Sequence, residues 1–328
     1  MTATDNRECR RALATWLQGM GLSASGLTGI AGDAGGRRYY RLATAQGTRV
    51  VMDASDDPGS VAPFVRVHAL MDAAGLHVPA IHAADPERGF CLLEDLGEES
   101  FLQVFRQKGA DTAMEAAIQA LVRWQSFELA DALPPYNGER LSAELDLFAV
   151  WYVQRHLGVQ PTPGWWQCWR EGCERLVHSA LAQPRVGVHR DFMARNLIKS
   201  QPSPGVIDFQ DALIGPVTYD LASLLRDAFF SWPERQEQYW IQRYRALAAA
   251  AGIPLPDGFT QALDWMAAQR HLKVLGIFAR LAHRDGKPAY IADAPRFLDY
   301  LATELAGYDA LKPLAGLIAA LPSPAGAR

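Results

Sequence analysis

The sequence predicts an α+β fold in two lobes, a small antiparallel β-rich lobe at the N-terminus and a larger helical lobe at the C-terminus. Strand and turn patterns dominate the first 96 residues, whereas apolar side chains recur at helical spacing after residue 100. A chain of 328 residues is also long enough to bury two cores. We therefore predict an N-terminal lobe at residues 1–96 and a C-terminal lobe at residues 97–328.

The elements of the N-terminal lobe follow from local patterns. Apolar side chains at helical spacing predict a helix that starts the chain and a second helix inserted between strands. Gln46-Gly47 lies between two runs rich in β-formers and predicts the turn of a hairpin. The predicted elements are a helix at 7–20, hairpin strands at 37–42 and 48–52, a helix at 61–75, and short strands at 79–82 and 90–93.

The C-terminal lobe is predicted to consist mainly of helices. One stretch, 186–211, differs because short β-rich pieces there carry polar residues. The helix at 259–282 contains Arg270, His271 and Lys273; we expect part of this polar group to be solvated, with Arg270 a candidate contact to a substrate. The predicted helices cover 111–128, 141–157, 164–182, 217–229, 234–251, 259–282 and 295–306.

Composition and charge exclude several classes of protein. Hydrophobic residues at 49% and charged residues at 21% are typical of a globular chain. A net charge of −4 leaves no basic footprint for nucleic acid, and no apolar run approaches the roughly 20 residues of a membrane span. The four cysteines lack the spacing of a metal or disulfide framework. We expect a cytoplasmic protein without membrane or nucleic-acid partners; its oligomeric state is not indicated.

The octet His-Arg-Asp-Phe-Met-Ala-Arg-Asn at 189–196 carries the clearest chemistry. Twelve residues after Asn196, Asp208 follows the apolar pair Val206-Ile207. This pattern is typical of a kinase catalytic loop and its metal site: an acid, an amide five residues later, and a second acid on a short apolar run. We predict that Asp191 accepts the proton of a substrate hydroxyl and that Asn196 and Asp208 bind Mg²⁺.

Simpler explanations exist for each member of this set. Asp191 and Asn196 are also ordinary turn residues, and Asp208 is also a residue type that ends strands by bonding to the backbone. Because Asp208 lies between Val206-Ile207 and Phe209, we expect it to be buried. An unpaired carboxylate is costly to bury, and this favours a bound metal.

Several neighbouring residues have open roles. Arg190 either contacts a phosphate or sugar or braces the loop, and Asp211 is a candidate contact to the substrate or a second metal. Asp220 begins a predicted helix, where a carboxylate caps backbone N–H groups. The glycine-rich stretch that includes Gly32, Gly35 and Gly36 is either a plain turn or a backbone cradle for phosphates.

Five segments together resemble a known family: G-D-A-x-x-R-R-Y-Y-R-L at 32–42, L-L-E-D-L-G at 92–97, the octet at 189–196, I-D-F-Q-D-A at 207–212 and Q-R-H-L-K-V-L-G-I-F-A-R-L at 269–281. They resemble the aminoglycoside phosphotransferase and choline kinase superfamily, which has a two-lobed protein-kinase-like fold. Within it they are most similar to bacterial kinases that phosphorylate the anomeric hydroxyl of N-acetylmuramate and N-acetylglucosamine in peptidoglycan recycling.

The resemblance implies roles for individual residues and a need for ATP and Mg²⁺. Asp191 would be the catalytic base, and Asn196 and Asp208 the magnesium ligands. Gly32, Gly35 and Gly36 would lie over the triphosphate, and the stretch from Glu94 to Leu96 at adenine. The substrate would be a small sugar, and Asp220 would brace the loop.

One departure from the family pattern concerns the cation that binds the α- and β-phosphates. Many kinases carry a lysine on the strand at 48–53, where this chain has Asp53, and residues 61–75 lack the glutamate that would pair with it. We expect Arg38 and Arg41 to replace the lysine, because phosphates need compensating charge. Two alternatives stay open: a kinase of aminoglycosides or of choline or ethanolamine, and an ATP-binding module without turnover.

Overall fold

The computed structural model describes residues 3–30, 37–107, 110–129 and 131–322, with side chains from Arg10 onward. The chain forms two compact units. The first comprises Met1–Glu99 and Ile198–Asp211, and the second comprises Ser100–Leu197 and Ala212–Arg328. The single boundary predicted at 96/97 does not include the return of residues 198–211 to the first unit.

A five-stranded antiparallel sheet forms the centre of the first unit. The predicted hairpin is present, with Thr44 opposite Gly47, whose φ of 106° suits the tight turn. Gly89 is also required, since a Cβ there would lie 2.6 Å from the backbone oxygen of Ala54. In spatial order the strands are Leu27–Ile30, Arg38–Thr44, Gly47–Asp53, Phe90–Glu94 and Ile81–Asp85.

Two helices pack in the first unit. The N-terminal helix Ala3–Gly19 places Leu13 and Leu17, one turn apart, in a cluster with Leu42, Val51, Phe90 and Leu92 of the sheet. The helix Val61–Ala73 buries residues at helical spacing along one face. Short 3₁₀ turns at Ala24–Gly26 and Pro58–Ser60 precede the first strand and this helix.

The return segment Ile198–Asp211 is held in the first unit by apolar and hydrogen-bonded contacts. The chain leaves the second unit at the strand Leu197–Ile198 and then forms the strand Gly205–Val206. Phe209 is fully buried and stacks on Phe64 with ring centroids 4.9 Å apart. The His77 ring bonds to the Ser200 hydroxyl at 2.9 Å.

The second unit is mostly helical. A two-stranded antiparallel sheet, Arg185–Val188 with Leu213–Pro216, is set among the helices. The helices are Phe101–Phe105, Asp111–Ser126, Gly138–Leu147, the π-helix Phe148–His156, Pro163–Leu181, Tyr219–Leu225, Glu234–Ala250, Phe259–His283, Ala294–Ala306 and Lys312–Ala319, with 3₁₀ turns at Ala194–Asn196, Pro288–Asp293 and Asp309–Leu311.

The helix Phe259–His283 is the centre of the second unit and is buried on most of its circumference. A Cβ on Gly276 would lie 2.3 Å from the carbonyl carbon of Leu147, so this helix and the neighbouring one approach closely there. Arg270, His271 and Lys273 are all buried. The expectation that part of this polar group is solvated is therefore wrong. For His271 and Lys273, the carboxylates of Glu304 and Glu144 take the place of water.

The predicted α+β fold class is confirmed, and the predicted helices are present with small changes at their ends. The largest difference is at 141–157, where the α-helix changes at Phe148 to a π-helix with wider turns. The predicted helix at 217–229 is shorter, Tyr219–Leu225. Within the described part of the chain, no helix is long and apolar enough to cross a membrane.

Candidate active site

The 189–196 loop follows the strand Arg185–Val188, and the side chain of Asp220 holds the start of the loop by hydrogen bonds. This carboxylate, at the start of the helix Tyr219–Leu225, accepts the backbone N–H of His189 at 2.6 Å and that of Arg190 at 3.0 Å. Asp220 is 0% exposed. Burial raises the pKa of Asp220 to about 7, although the two backbone donors act to lower it. The bracing contact expected of Asp220 is confirmed.

Arg190 has an unusual backbone conformation directly before Asp191. Its φ is 77°, in the left-handed region, which costs a non-glycine residue on the order of 1–3 kcal/mol. The hydrogen bond from its N–H to Asp220 and an ion pair from its side chain to Glu144 at 2.6 Å hold it there. These contacts support the role of Arg190 as a brace of the loop. Its contact with a phosphate or sugar stays a prediction.

Asp191 is half-buried, and its carboxylate has no hydrogen-bond partner among the described residues. Asn196 closes the loop behind it, since its Nδ2 donates to the backbone oxygen of Asp191 at 2.9 Å. The side chain of Asn196 is buried within the 3₁₀ turn Ala194–Asn196. The loop thus presents one carboxylate and holds one amide at its base.

The 206–211 segment of the first unit carries the second acid of the motif. Asp208 has a φ of 63°, and its Oδ1 accepts a hydrogen bond from Gln210 Nε2 at 2.8 Å. Asp208 is exposed, so the prediction of a buried setting is wrong. Val206 and Phe209 occupy the buried positions on either side, and the left-handed turn at Asp208 directs its side chain away from them.

Asn196 and Asp208 carry donor atoms of the kind that magnesium prefers. An amide oxygen from Asn196 and a carboxylate from Asp208 are hard oxygen donors, which Mg²⁺ prefers together with phosphate and water. Within the described ranges, no three His, Cys, Asp or Glu side chains cluster as a metal cage. Each of the two donors is therefore of a type that suits an ion bound mainly through a nucleotide. Because Asp208 is exposed, the cost of burying its carboxylate does not favour a metal there.

Arg38 and Arg41, the predicted phosphate cations, both engage carboxylates of the first unit. Arg38 Nε donates to Asp53 at 3.0 Å, and its other nitrogens reach Asp56 at 3.2 Å and Ser55 at 2.9 Å. Asp53, the residue in place of the expected lysine, is buried opposite Arg38 in the sheet. Where many kinases have a lysine on this strand, the chain therefore has Asp53 paired with Arg38 of the neighbouring strand.

Arg41 makes a two-pronged ion pair with Asp95. Its Nε and Nη2 donate to the two carboxylate oxygens at 2.6 Å and 2.9 Å, and Nη1 contacts Glu98. Although burial acts to raise it, the pKa of Asp95 is lowered by Arg41 and by the N–H of Gly97. Arg41 thus fixes the stretch that follows the strand Phe90–Glu94.

The remaining predicted residues occupy varied positions. Glu94 ends its strand and accepts the N–H of Ala80 at 3.1 Å, while Leu96 abuts Gly205. Asp211 is exposed and Arg270 is 2% exposed, with its Nη1 unpaired within the described residues. Gly32, Gly35 and Gly36 lie outside the described residues.

The sequence did not reveal which residues surround Arg190. Glu144 and Tyr136 lie on the helix Gly138–Leu147 and in the loop before it, outside every predicted motif. Gln269 and Lys273 belong to the 269–281 segment on the helix Phe259–His283, but no contact with Glu144 was predicted for them. The spacing of Glu144 could have indicated its burial. It lies three residues after Leu141 and four before Phe148, on the apolar face of its helix. A charged residue on such a stripe indicates a buried partner.

The chain is similar to known phosphotransferases over most of its length. A family model described as "Phosphotransferase enzyme family" matches residues 26–253. The N-acetylmuramate/N-acetylglucosamine kinase of Pseudomonas aeruginosa is 50% identical over 293 residues, which cover 88% of this chain and 87% of that protein. The protein of the same name from Pseudomonas putida is 46% identical over 308 residues, covering 93% and 90%.

Among solved structures, aminoglycoside phosphotransferase APH(2'')-Ib in its ADP-bound form is similar with a TM-score of 0.61. The sequence identity is 16%, and the match covers 90% of this chain and 98% of that one. At this identity the likeness shows a shared fold.

Proposed function

Since the chain belongs to the phosphotransferase enzyme family, we propose that it is an ATP-dependent kinase that phosphorylates the anomeric hydroxyl of N-acetylmuramate, N-acetylglucosamine or both. The observation that carries the proposal is the identity of 50% and 46% to two kinases named for these sugars, over 88% and 93% of this chain. The products would be ADP and a sugar 1-phosphate. Such a reaction suits the recycling of peptidoglycan sugars in the cytoplasm.

Asp191 is the proposed catalytic base. Its carboxylate follows the braced residue Arg190, is half-buried and has no hydrogen-bond partner among the described residues, so it has capacity to accept a proton. In the proposed reaction the anomeric hydroxyl oxygen bonds to the γ-phosphorus, its proton passes to a carboxylate oxygen of Asp191, and ADP leaves. Positioning matters more here than covalent chemistry by the protein.

Asn196 and Asp208 are the proposed ligands for Mg²⁺. Their oxygens are of the type that magnesium prefers, and one carboxylate with one amide suits an ion that also binds phosphates and water. When bound, magnesium would neutralise charge on the nucleotide's phosphates. The part played by the chain is to hold the two oxygens, Asn196 by its bond to the Asp191 backbone and Asp208 by the buried Phe209 beside it.

The proposed nucleotide contacts lie in the first unit. Gly32, Gly35 and Gly36 would place backbone N–H groups on phosphates. Arg38 and Arg41 would compensate phosphate charge. Because each also pairs with carboxylates, its phosphate contact would be made by a guanidinium whose direction is already fixed.

Adenine and acceptor contacts are proposed for five further residues. Glu94 and Leu96 lie at and just after the end of a buried strand and would contact adenine through backbone groups other than the Glu94 N–H, which donates to Ala80 at 2.8 Å. Arg190, Asp211 and Arg270 are proposed for the acceptor side. Arg270 is buried, so its contribution would be a charge behind the pocket wall more than a direct contact.

The experiment that tests the function is phosphorus NMR of the product formed from ATP, Mg²⁺ and each amino sugar. We expect a new phosphorus signal coupled to the anomeric proton of the sugar, with ADP released in equal amount. The Asp191→Asn protein is the control, because it should bind ATP while forming little product.

Other outcomes would replace the proposal. Turnover of an aminoglycoside, of choline or of ethanolamine, with neither amino sugar phosphorylated, would refute the substrate and keep the reaction class. ATP binding measured by calorimetry, with no acceptor phosphorylated, would refute catalysis and favour a nucleotide-binding module.

A further inference from the structure

We propose that Glu144 is a positioning residue that holds Arg190 and, through the Arg190 backbone, the carboxylate of Asp191. The inference rests on the proposed function, because it gives Glu144 a task in the same site. Glu144 lies 46 residues before Arg190 and outside each motif identified in the sequence.

The Glu144 cluster consists of Glu144 and the four side chains that contact its carboxylate. Oε1 accepts a hydrogen bond from Arg190 Nη2 at 2.6 Å and lies 3.3 Å from Lys273 Nζ. Oε2 accepts from the Tyr136 hydroxyl and from Gln269 Nε2 at 3.3 Å. Both carboxylate oxygens are therefore fully engaged, which fixes the direction of the Arg190 guanidinium.

Burial makes these contacts strong. The Glu144 side chain is 12% exposed, and that of Lys273 is 9% exposed. Burial acts to raise the pKa of Glu144, but Lys273 and Arg190 outweigh it and lower the pKa below its ordinary value. The carboxylate is thus charged at neutral pH, and removing its charge would leave the buried Lys273 and the half-buried Arg190 without their shared partner.

Arg190 transmits this hold to the reacting group. Its left-handed backbone is fixed at the N–H by Asp220 and at the guanidinium by Glu144. Asp191 is the next residue, so the direction of its carboxylate depends on the same backbone dihedrals. If the side-chain hold is lost, we expect the loop to relax and the base to move from the acceptor hydroxyl.

The cluster also sets the charge around Asp191. Arg190 and Lys273 each interact electrostatically with both Glu144 and Asp191, so two cations are shared by two carboxylates. Lys273 also donates to the Tyr219 hydroxyl at 2.9 Å, which keeps its ammonium within the cluster. Without Glu144, both cations would be left to pair with Asp191 alone, and this would pull its carboxylate toward them.

The first test is Glu144→Gln, which keeps the shape of the side chain and removes its charge. We expect kcat to fall about tenfold to a hundredfold with the KM for ATP unchanged, as for a misplaced catalytic group. The matched control is Glu115→Gln, which removes the ion pair to Arg243 at 2.5 Å in the same unit and should leave kcat at the wild-type value. Equal kcat in all three proteins would overturn the inference.

A double-mutant cycle separates positioning through Arg190 from a merely structural role. Glu144→Gln, Arg190→Met and the double variant are compared by kcat/KM. If Glu144 acts through Arg190, the double variant should lose little more than Arg190→Met alone. Losses that multiply would show that the two residues act independently, and the proposal would be wrong.

A third measurement does not depend on the acceptor. Amide signals of Asp191 and Asn196 in nitrogen–proton NMR spectra should shift in Glu144→Gln and stay in place in Glu115→Gln. If the wild type phosphorylates neither amino sugar, the proposed function fails, and these spectra still decide the role of Glu144. Unmoved loop signals would refute it.

A protein that fails to fold would not end the test. Should Glu144→Gln unfold, Glu144→Asp retains the charge on a side chain one methylene shorter. We expect this folded variant to show a lower kcat with the KM for ATP unchanged. A wild-type kcat in Glu144→Asp would contradict the requirement for the geometry of the ion pair.

Discussion

The 189–196 loop of the second unit and the 206–211 segment of the first are held in opposite ways. Each contains one non-glycine residue with positive φ, Arg190 at 77° and Asp208 at 63°, and these are the two such residues in the described chain. The loop is held by buried charged groups, Asp220 and Glu144. The segment is held by buried apolar groups on either side of its exposed acid, chiefly Phe209.

This difference determines which changes would destabilise each region. Buried polar contacts fix direction precisely enough for a base, but their strength depends on charge and therefore on pH. Apolar anchors are insensitive to pH and tolerate changes in nearby charge, but they depend on packing volume. The following substitutions are ordered from the largest expected effect to the smallest.

Phe209→Ala tests the apolar anchor of the 206–211 segment. Phe209 is fully buried and stacked on Phe64, so its truncation should lower the free energy of unfolding by about 3–5 kcal/mol, from lost burial and the cavity left behind. Urea denaturation measures this. A loss below about 1 kcal/mol would mean that the segment is not held by apolar packing.

Asp191→Asn tests the group that the loop presents. We expect kcat to fall about a hundredfold or more, equivalent to about 2.7 kcal/mol, with unchanged stability, because this carboxylate has no hydrogen bond to lose within the described residues. ADP release at saturating ATP measures the rate. Activity within about tenfold of the wild type would exclude Asp191 as the base.

Asp220→Asn tests the polar hold and its pH dependence. Losing one of the two hydrogen bonds that the protonated carboxyl group accepts should cost about 1–3 kcal/mol at low pH. Since burial raises the folded-state pKa of Asp220 to about 7 from an ordinary 3.8, the folded protein binds this proton more tightly than the unfolded chain. Its stabilising contribution is complete below about pH 4 and is lost as the pH rises to about 7.

The difference in the free energy of unfolding between the wild type and Asp220→Asn should therefore become smaller as the pH rises from about 5 to about 7. Denaturant unfolding of both proteins across this range measures the difference. Curves that remain parallel would show that Asp220 does not titrate in the folded protein and that the polar hold is independent of pH.

Glu99→Gln should have the smallest effect. The ion pair of Glu99 with Lys199 spans 2.8 Å but is exposed on both sides, and such pairs contribute about 0–1 kcal/mol. We expect stability within that range of the wild type and an unchanged kcat. A loss comparable to that of Phe209→Ala would contradict this, since charge would then contribute as much as apolar packing to holding the return segment Ile198–Asp211.

The order of elements and the identity of the motif residues were predictable from sequence because both are local properties. Apolar spacing predicts helices such as Asp111–Ser126, and Gln46-Gly47 predicts its hairpin. The octet fixes Asp191 and Asn196 within one loop, where the Asn196 amide does bond to the Asp191 backbone. Their roles in catalysis and metal binding remain predictions.

What the sequence did not reveal depends on contacts between distant residues. Glu144 meets Arg190 and Lys273 only after separate elements have packed, and no spacing rule connects them. Part of the group formed by Arg270, His271 and Lys273 was expected to be solvated, yet all three are buried and the Glu144 carboxylate compensates Lys273. Asp208 was expected inside because its neighbours are apolar, but a left-handed turn brings it to the surface.

Gly276 has a consequence that reaches beyond its own position. The backbone of Leu147 occupies the volume that any larger residue would need, so the two helices can be this close only while no side chain intervenes. Lys273 lies three residues before Gly276 on one helix, and Glu144 three residues before Leu147 on the other. Because Gly276 has no side chain, the two helices pack closely enough for Lys273 and Glu144 to lie 3.3 Å apart. A larger residue at position 276 would therefore change the electrostatic interaction between these two charges.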